Sequence, residues 1–93
     1  MKHYIVVKFI DGFDYCGRLG ENKAIFKRTL EIDGIYSLDI KTSNSDRENR
    51  YDLMIEMDME KSALESYDIS APHKEWKDIF GEFVEKKAIF DCD

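Results

Sequence analysis

The chain has 93 residues, which is enough for one domain with a single modest core. Because 20 acidic residues outnumber 14 basic ones, the net charge of −6 repels phosphate backbones and anionic lipid, so neither nucleic acid nor a membrane surface is an expected partner. No apolar run approaches the ~20 residues of a membrane span or forms the core of a signal peptide, so we expect a cytoplasmic protein.

The cysteine pattern gives no sign of a metal centre. Cys16 and Cys92 lack both the CxxC spacing and the spacing of metal ligands, which favours reduced thiols. The sequence therefore predicts no metal and no cofactor.

The first third of the chain predicts a strand followed by a helix. Residues 2–10 alternate with period two and are rich in Ile, Val, Tyr and Phe, as in a strand. From about residue 14 to residue 31 the spacing becomes that of a helix with one apolar stripe. The stripe contains Leu19, Lys23, Phe26 and Leu30.

The remaining two thirds predict three strands and two helices. Residues 35–41 and 52–59 read as strands, joined by an exposed connection over residues 42–50. A short helix over residues 60–67 precedes a longer one over residues 72–85. The longer helix has Pro72 in its first turn and Ser70 as its cap. A last strand covers residues 86–92.

This element order predicts a ferredoxin-like fold. The order is β-α-β-β-α-β, with the second helical segment in two pieces, so the class is α+β. Right-handed crossovers arrange the strands as an antiparallel sheet in the order 4-1-3-2.

The sheet face opposite the helices is unexpectedly apolar for a monomer. We expect it to carry Tyr4, Val6, Ile10, Met54, Ile89 and members of the set Tyr36, Leu38 and Ile40. Such a patch exceeds the few hundred Å² that a soluble monomer usually exposes. The sequence therefore predicts a homodimer packed sheet against sheet, with two-fold symmetry.

The chain's two histidines are expected at the same end of the sheet. His3 stands at the head of the first strand, and His73 lies in the first turn of the last helix, six residues after Tyr67. Two imidazoles and a phenol around one pocket can do acid–base work near neutral pH. The alternative is that His3 is a satisfied core or rim residue and His73 only a helix-start residue.

Four segments also carry a family resemblance. They are KHYIVVKF from residue 2, YDLMIEM from residue 51, ALESY from residue 63 with Pro72-His73 after it, and AIFD from residue 88. Together they resemble the first strand, the third strand, the Pro/His helix motif and the last strand of the stress-responsive A/B barrel (Dabb) family. The family's usual His-Pro-x-His reads Ser70-Ala71-Pro72-His73 here.

The resemblance implies a dimer whose two sheets form a barrel, with a pocket between sheet and helices in each protomer. In one plant branch of the family, a strand-1 His, a helical Tyr and a helix-start His close a polyketide chain by aldol chemistry. Those positions correspond to His3, Tyr67 and His73 in this sequence.

Two kinds of function follow from these residues. As an enzyme, the protein would use His73 to remove a proton next to a carbonyl, Tyr67 to donate to the developing enolate oxygen, and His3 to orient the substrate or relay the proton. As a binding protein or a structural dimer it would do no chemistry. The pocket for a small apolar or aromatic ligand would be lined by Phe9, Leu64, Trp76, Phe80 and Phe83, which are also residues that any core of this size contains.

Overall fold

A computed structural model describes residues 1–93 as four strands and three helices. The strands are β1 (Lys2–Phe9), β2 (Ile35–Thr42), β3 (Leu53–Met59) and β4 (Val84–Cys92). The helices are α1 (Leu19–Lys27), α2 (Ala63–Asp68) and α3 (Ala71–Phe80). None of the three helices is long and apolar enough to cross a membrane.

The strands form one antiparallel sheet in the order β2-β3-β1-β4, which confirms the predicted ferredoxin-like arrangement. In β1 and β3 the burial alternates residue by residue, because one face packs under the helices. His3 lies opposite Met57 of β3 on one side and Asp91 of β4 on the other. The start of β1 therefore lies beside the ends of β3 and β4.

The core lies between this face and the helices. Strand residues such as Val7, Ile55 and Met57 are fully buried there against Trp76 and Phe80 of α3. Trp76 is fixed by its indole N–H, which donates to Asn22 Oδ1 of α1 at 2.6 Å. The two longer helices are thereby joined through a buried hydrogen bond.

Two irregularities in the strands change the predicted outer face. Ile35 pairs with Met59, but Ser37 already pairs with Asp58, so one extra residue is inserted at Tyr36. The insertion shifts the alternation by one position. Leu38 and Ile40 consequently lie opposite Met57 and Ile55 on the helix side, so their expected place on the outer face is wrong.

The same correction applies to β4. Ile89 pairs with Ile5 and so shares its helix-facing side, whereas Phe90 pairs with Tyr4 and Ala88 with Val6. The apolar residues of the outer face are Tyr4, Val6, Met54, Ala88 and Phe90. We call this set the outer apolar patch. It is smaller than the sequence predicts.

The helices are shorter than predicted at their ends. The first is preceded by a 3-10 turn whose start is set by Asp14, whose carboxylate accepts the Gly17 N–H at 3.0 Å. It ends where the Thr29 hydroxyl donates to the Phe26 carbonyl at 2.6 Å. The last helix stops at Phe80 because the chain turns at residues 81–83 and the Ile10 N–H bonds to the Phe83 carbonyl.

Candidate functional site

His3 is oriented by a carboxylate on the neighbouring strand. The residue is 4% exposed, and its Nδ1–H donates to Oδ1 of Asp91, the neighbouring residue on β4. This bond assigns the proton to Nδ1 and leaves Nε2 with a free lone pair. A carboxylate in this position orients an imidazole, as in other acid–base sites.

His73 is held by the start of α3. Ser70 caps the helix, since its hydroxyl accepts the His73 backbone N–H at 3.3 Å and donates to the Tyr67 carbonyl at 2.7 Å. The His73 ring is oriented by a bond from Nδ1 to the carbonyl oxygen of Asp68, at 2.7 Å. Its Nε2 is also left as the acceptor nitrogen.

Tyr67 lies between the two imidazoles. Its ring centre is 5.7 Å from that of His3, in an edge-on contact, and 4.8 Å from that of His73. The residue is 2% exposed, and its hydroxyl is a buried side-chain oxygen with no hydrogen-bond partner. Burial raises the pKa of the Tyr67 phenol above its ordinary value of 10.0, and the Asp68 carboxylate raises it further. The hydroxyl is therefore a proton-bearing donor at neutral pH.

These three side chains surround one cavity of about 320 Å³ between the sheet and the helices. The predicted residues Leu64 and Trp76 also line it, together with Ile5, Phe26 and Ile89. Its charged lining residues are Asp68, Lys87 and Asp91. The cavity thus combines an apolar wall with a few polar groups, which is typical of small-molecule sites. We call it the His/Tyr cavity.

The structure does not bring the other three predicted aromatics to the His/Tyr cavity. Phe9 and Phe80 pack into the core at the opposite end of β1, 6.5 Å apart between ring centres. Phe83 stacks on Phe13 at 4.2 Å, and the Arg18 guanidinium lies 4.7 Å from the centre of the Phe80 ring. These aromatics fill the core and cover its edge.

Asp91 is the site residue that sequence reasoning missed. The sequence places Asp91 in the last strand and in the family-like segment AIFD, and neither position signals a contact with His3. The register of β1 against β4 places it beside His3. That register could not be read from the sequence because β4 contains an irregularity next to Phe9.

Comparison with solved structures identifies the fold. A protein from Arabidopsis thaliana matches with a TM-score of 0.79 and 21% identity over 99% of this chain and 92% of its own. A dimeric ferredoxin-like protein of unknown function from Thermobifida fusca matches with a TM-score of 0.79 and 10% identity, over 96% and 85%. A dabb family protein with a ferredoxin-like fold from Mesorhizobium loti matches with a TM-score of 0.65 and 17% identity, over 99% and 93%.

Sequence comparisons add nothing to this. No protein-family model matches the chain, and no curated protein matches it in sequence. The chain thus has a ferredoxin-like fold, which it shares with a protein described as dimeric and with a dabb family protein.

Proposed function

We propose that this chain is a Dabb-like homodimeric protein whose His/Tyr cavity accepts a small apolar or aromatic carbonyl compound and moves protons on it. The observation that carries this proposal is Tyr67, whose ring contacts two oriented imidazoles and whose buried hydroxyl has no hydrogen-bond partner. A buried hydroxyl without a partner costs about 1–3 kcal/mol. A ligand oxygen that accepts its proton would remove that cost.

The proposed chemistry is general acid–base catalysis. Nε2 of His73 takes a proton from the carbon next to the ligand's carbonyl, and the electron pair of the C–H bond moves onto the carbonyl oxygen. The Tyr67 O–H donates to the enolate oxygen that develops. His3, positioned by Asp91, orients the ligand and returns or relays a proton to the product. Both cyclase and lyase reactions can begin with this proton transfer.

Three observations support the other parts of the proposal. The outer apolar patch leaves Phe90 63% exposed, which a second copy would cover. Structurally similar proteins are described as dimeric. Both thiols are free, as a reducing cytoplasm keeps them.

Hydrogen–deuterium exchange at the carbon next to the carbonyl of phenylacetone tests the chemistry. This probe combines one ring for the apolar wall with an acidic C–H, and its exchange is followed by NMR in deuterium oxide. We expect the wild-type protein to accelerate the exchange, and His73→Ala or Tyr67→Phe to lower the accelerated rate by about 10²-fold or more. Lys74→Ala and Tyr36→Phe are the controls, because both residues are exposed and outside the cavity lining.

Binding of the same probe separates the two kinds of function. Saturable binding without faster exchange would favour a ligand-binding protein that does no chemistry, which the apolar wall of Ile5, Phe26 and Trp76 also suits. Acceleration that survives in His73→Ala would remove the role proposed for that residue.

A further inference from the structure

The sheet has two free edges, and each carries half-exposed apolar side chains on the helix side. β2 forms one edge and β4 the other, with 8 and 9 residues. Along β4 the helix-facing residues are Lys87, Ile89 and Asp91, and all three line the His/Tyr cavity. Ile89 is 49% exposed, so the cavity wall is incomplete at this edge.

The β2 edge has a groove with two lysines on its rim. It is about 350 Å³ in volume and lies between α1 and β2, lined by Lys23, Lys27, Leu30, Leu38, Asp39 and Ile40. Lys23 and Lys27 take part in none of the chain's ion pairs, whereas Asp39 is paired with Lys41. The groove therefore presents two free ammonium groups above an apolar floor. We call it the lysine groove.

The register of the sheet makes the two edges complementary. The pairs Leu38–Met57, Met57–His3 and His3–Asp91 form one row across the sheet. The neighbouring row runs from Ile40 through Ile55 and Ile5 to Ile89. Ile40 and Ile89 therefore lie at its two ends. The two edge strands run antiparallel to each other within the protomer.

A two-fold axis parallel to the strands therefore joins these edges between two copies. It keeps the strand direction, so β4 of a second copy would lie antiparallel beside β2, with Ile89 beside Ile40 and Asp91 near the two lysines. The same rotation brings the two outer apolar patches face to face. One operation thus covers both free edges, the outer apolar patch and the unpaired lysines.

We propose that the His/Tyr cavity is completed by a second copy of this chain, whose lysine groove lies along β4 at the cavity mouth. Lys23 and Lys27 of the partner subunit then face Asp91 and Ile89, and each cavity of the dimer contains residues of both subunits. The inference rests on the dimer proposed above and adds which residues of the partner subunit reach the cavity.

Cysteine cross-linking tests the contact directly. In a background with Cys16→Ser and Cys92→Ser, the pair Ile40→Cys and Ile89→Cys lies at opposite edges of one protomer. The two positions are roughly 14 Å apart across three strand spacings. A disulfide needs Cα atoms within about 7 Å, so the two cysteines can join only between copies. We expect mild oxidation to give a covalent dimer with the pair and monomers with either single variant.

Charge reversal gives a second readout for the lysines. We expect Lys23→Glu with Lys27→Glu to weaken the dimer about ten-fold or more in low salt, since like charges would then face Asp91. Lys23→Gln with Lys27→Gln should weaken it less. Lys61→Glu with Lys77→Glu, which carries the same charge change in the turn before α2 and on α3, is the control and should leave the dimer unchanged.

The outcomes separate this inference from the proposed dimer. A wild-type dimer in sedimentation that gives no cross-link with the cysteine pair, and that is indifferent to Lys23 and Lys27, would overturn the shared cavity and leave the dimer in place. A wild-type protein that is monomeric at about 50 µM would overturn both the shared cavity and the proposed dimer. Cross-linking of the pair together with the charge effect supports the shared cavity.

Discussion

Tyr67 combines a well-packed ring with a hydroxyl that has no hydrogen-bond partner. Its ring packs among core side chains and contacts both imidazoles, but its hydroxyl finds no partner in the protein. Buried polar groups are almost always hydrogen-bonded, and this exception is the reason for proposing a ligand atom beside Tyr67.

We predict that Tyr67→Phe does not destabilise the protein. Removing an unsatisfied hydroxyl while keeping the ring should leave the free energy of unfolding unchanged or raise it by about 1–3 kcal/mol, although exchange activity is lost. Urea unfolding measures this, with Tyr36→Phe as the matched control, since that hydroxyl donates to Glu60 at 2.8 Å. A clear loss of stability in Tyr67→Phe would mean that the hydroxyl already has a partner.

The raised pKa of Tyr67 also predicts a pH dependence of stability. Below pH 10 the phenol is protonated in both the folded and the unfolded chain, so its contribution to the free energy of unfolding is fully present. Above pH 10 the unfolded chain ionises first, because burial keeps the folded pKa higher, and stability falls by up to about 1.4 kcal/mol per pH unit. Urea unfolding of Tyr67→Phe at pH 9 to 11 should show a shallower fall. Equal slopes would contradict the assigned shift.

The start of α3 is the element that positions the site. Ser70 joins Tyr67 and His73 by accepting one bond and donating another, so the helix cap also sets the geometry of the cavity. The sequence predicts this cap from the Ser-Ala-Pro-His pattern alone, and the structure confirms it.

Loss of the cap should therefore affect stability and the site together. We predict that Ser70→Ala lowers the free energy of unfolding by about 1 kcal/mol and shifts the His73 ring resonances in NMR spectra. Ser66→Ala on the neighbouring helix is the control, because Ser66 is exposed. If both variants behave alike, the cap does not position His73.

The limits of prediction from sequence are clearest at the element scale. The alternation of β1 and β3 and the strand order could be predicted because each depends on local pattern and handedness. The faces of Leu38, Ile40 and Ile89 could not, since one inserted residue in a strand reverses the alternation. The contact of Asp91 with His3 depends on the register of β4 against β1, and the irregularity in β4 makes that register unpredictable from the sequence.

At the scale of the whole molecule, the proposed function requires a second copy of the chain. The outer apolar patch holds fewer residues than the sequence predicts, and charged side chains surround it, including Lys2, Glu56 and Asp58. Phe90, in contact with Tyr4 at 6.4 Å between ring centres, is its most exposed aromatic residue. A dimer packed sheet against sheet would cover this apolar surface and exclude water from it.

We predict that Phe90→Glu converts the dimer to a monomer. A carboxylate placed in the sheet-to-sheet contact would be buried without a partner, which costs several kcal/mol. Sedimentation at micromolar concentration measures the change, and Ile69→Glu is the control because Ile69 is 87% exposed in the turn before α3. A Phe90→Glu protein that remains dimeric would place the contact elsewhere.

The histidine-ring NMR spectrum tests the central claim most directly, because the chain contains only 2 histidines and both belong to the proposed site. With ¹⁵N-labelled imidazoles, we predict that both rings carry a proton on Nδ1, because Nδ1 of His3 bonds to the Asp91 carboxylate and Nδ1 of His73 bonds to the Asp68 carbonyl. Added phenylacetone should shift both Nε2 signals along one saturation curve in the wild type. Nε2 signals that stay fixed while the probe is raised to saturating amounts would contradict a ligand site between His3, Tyr67 and His73.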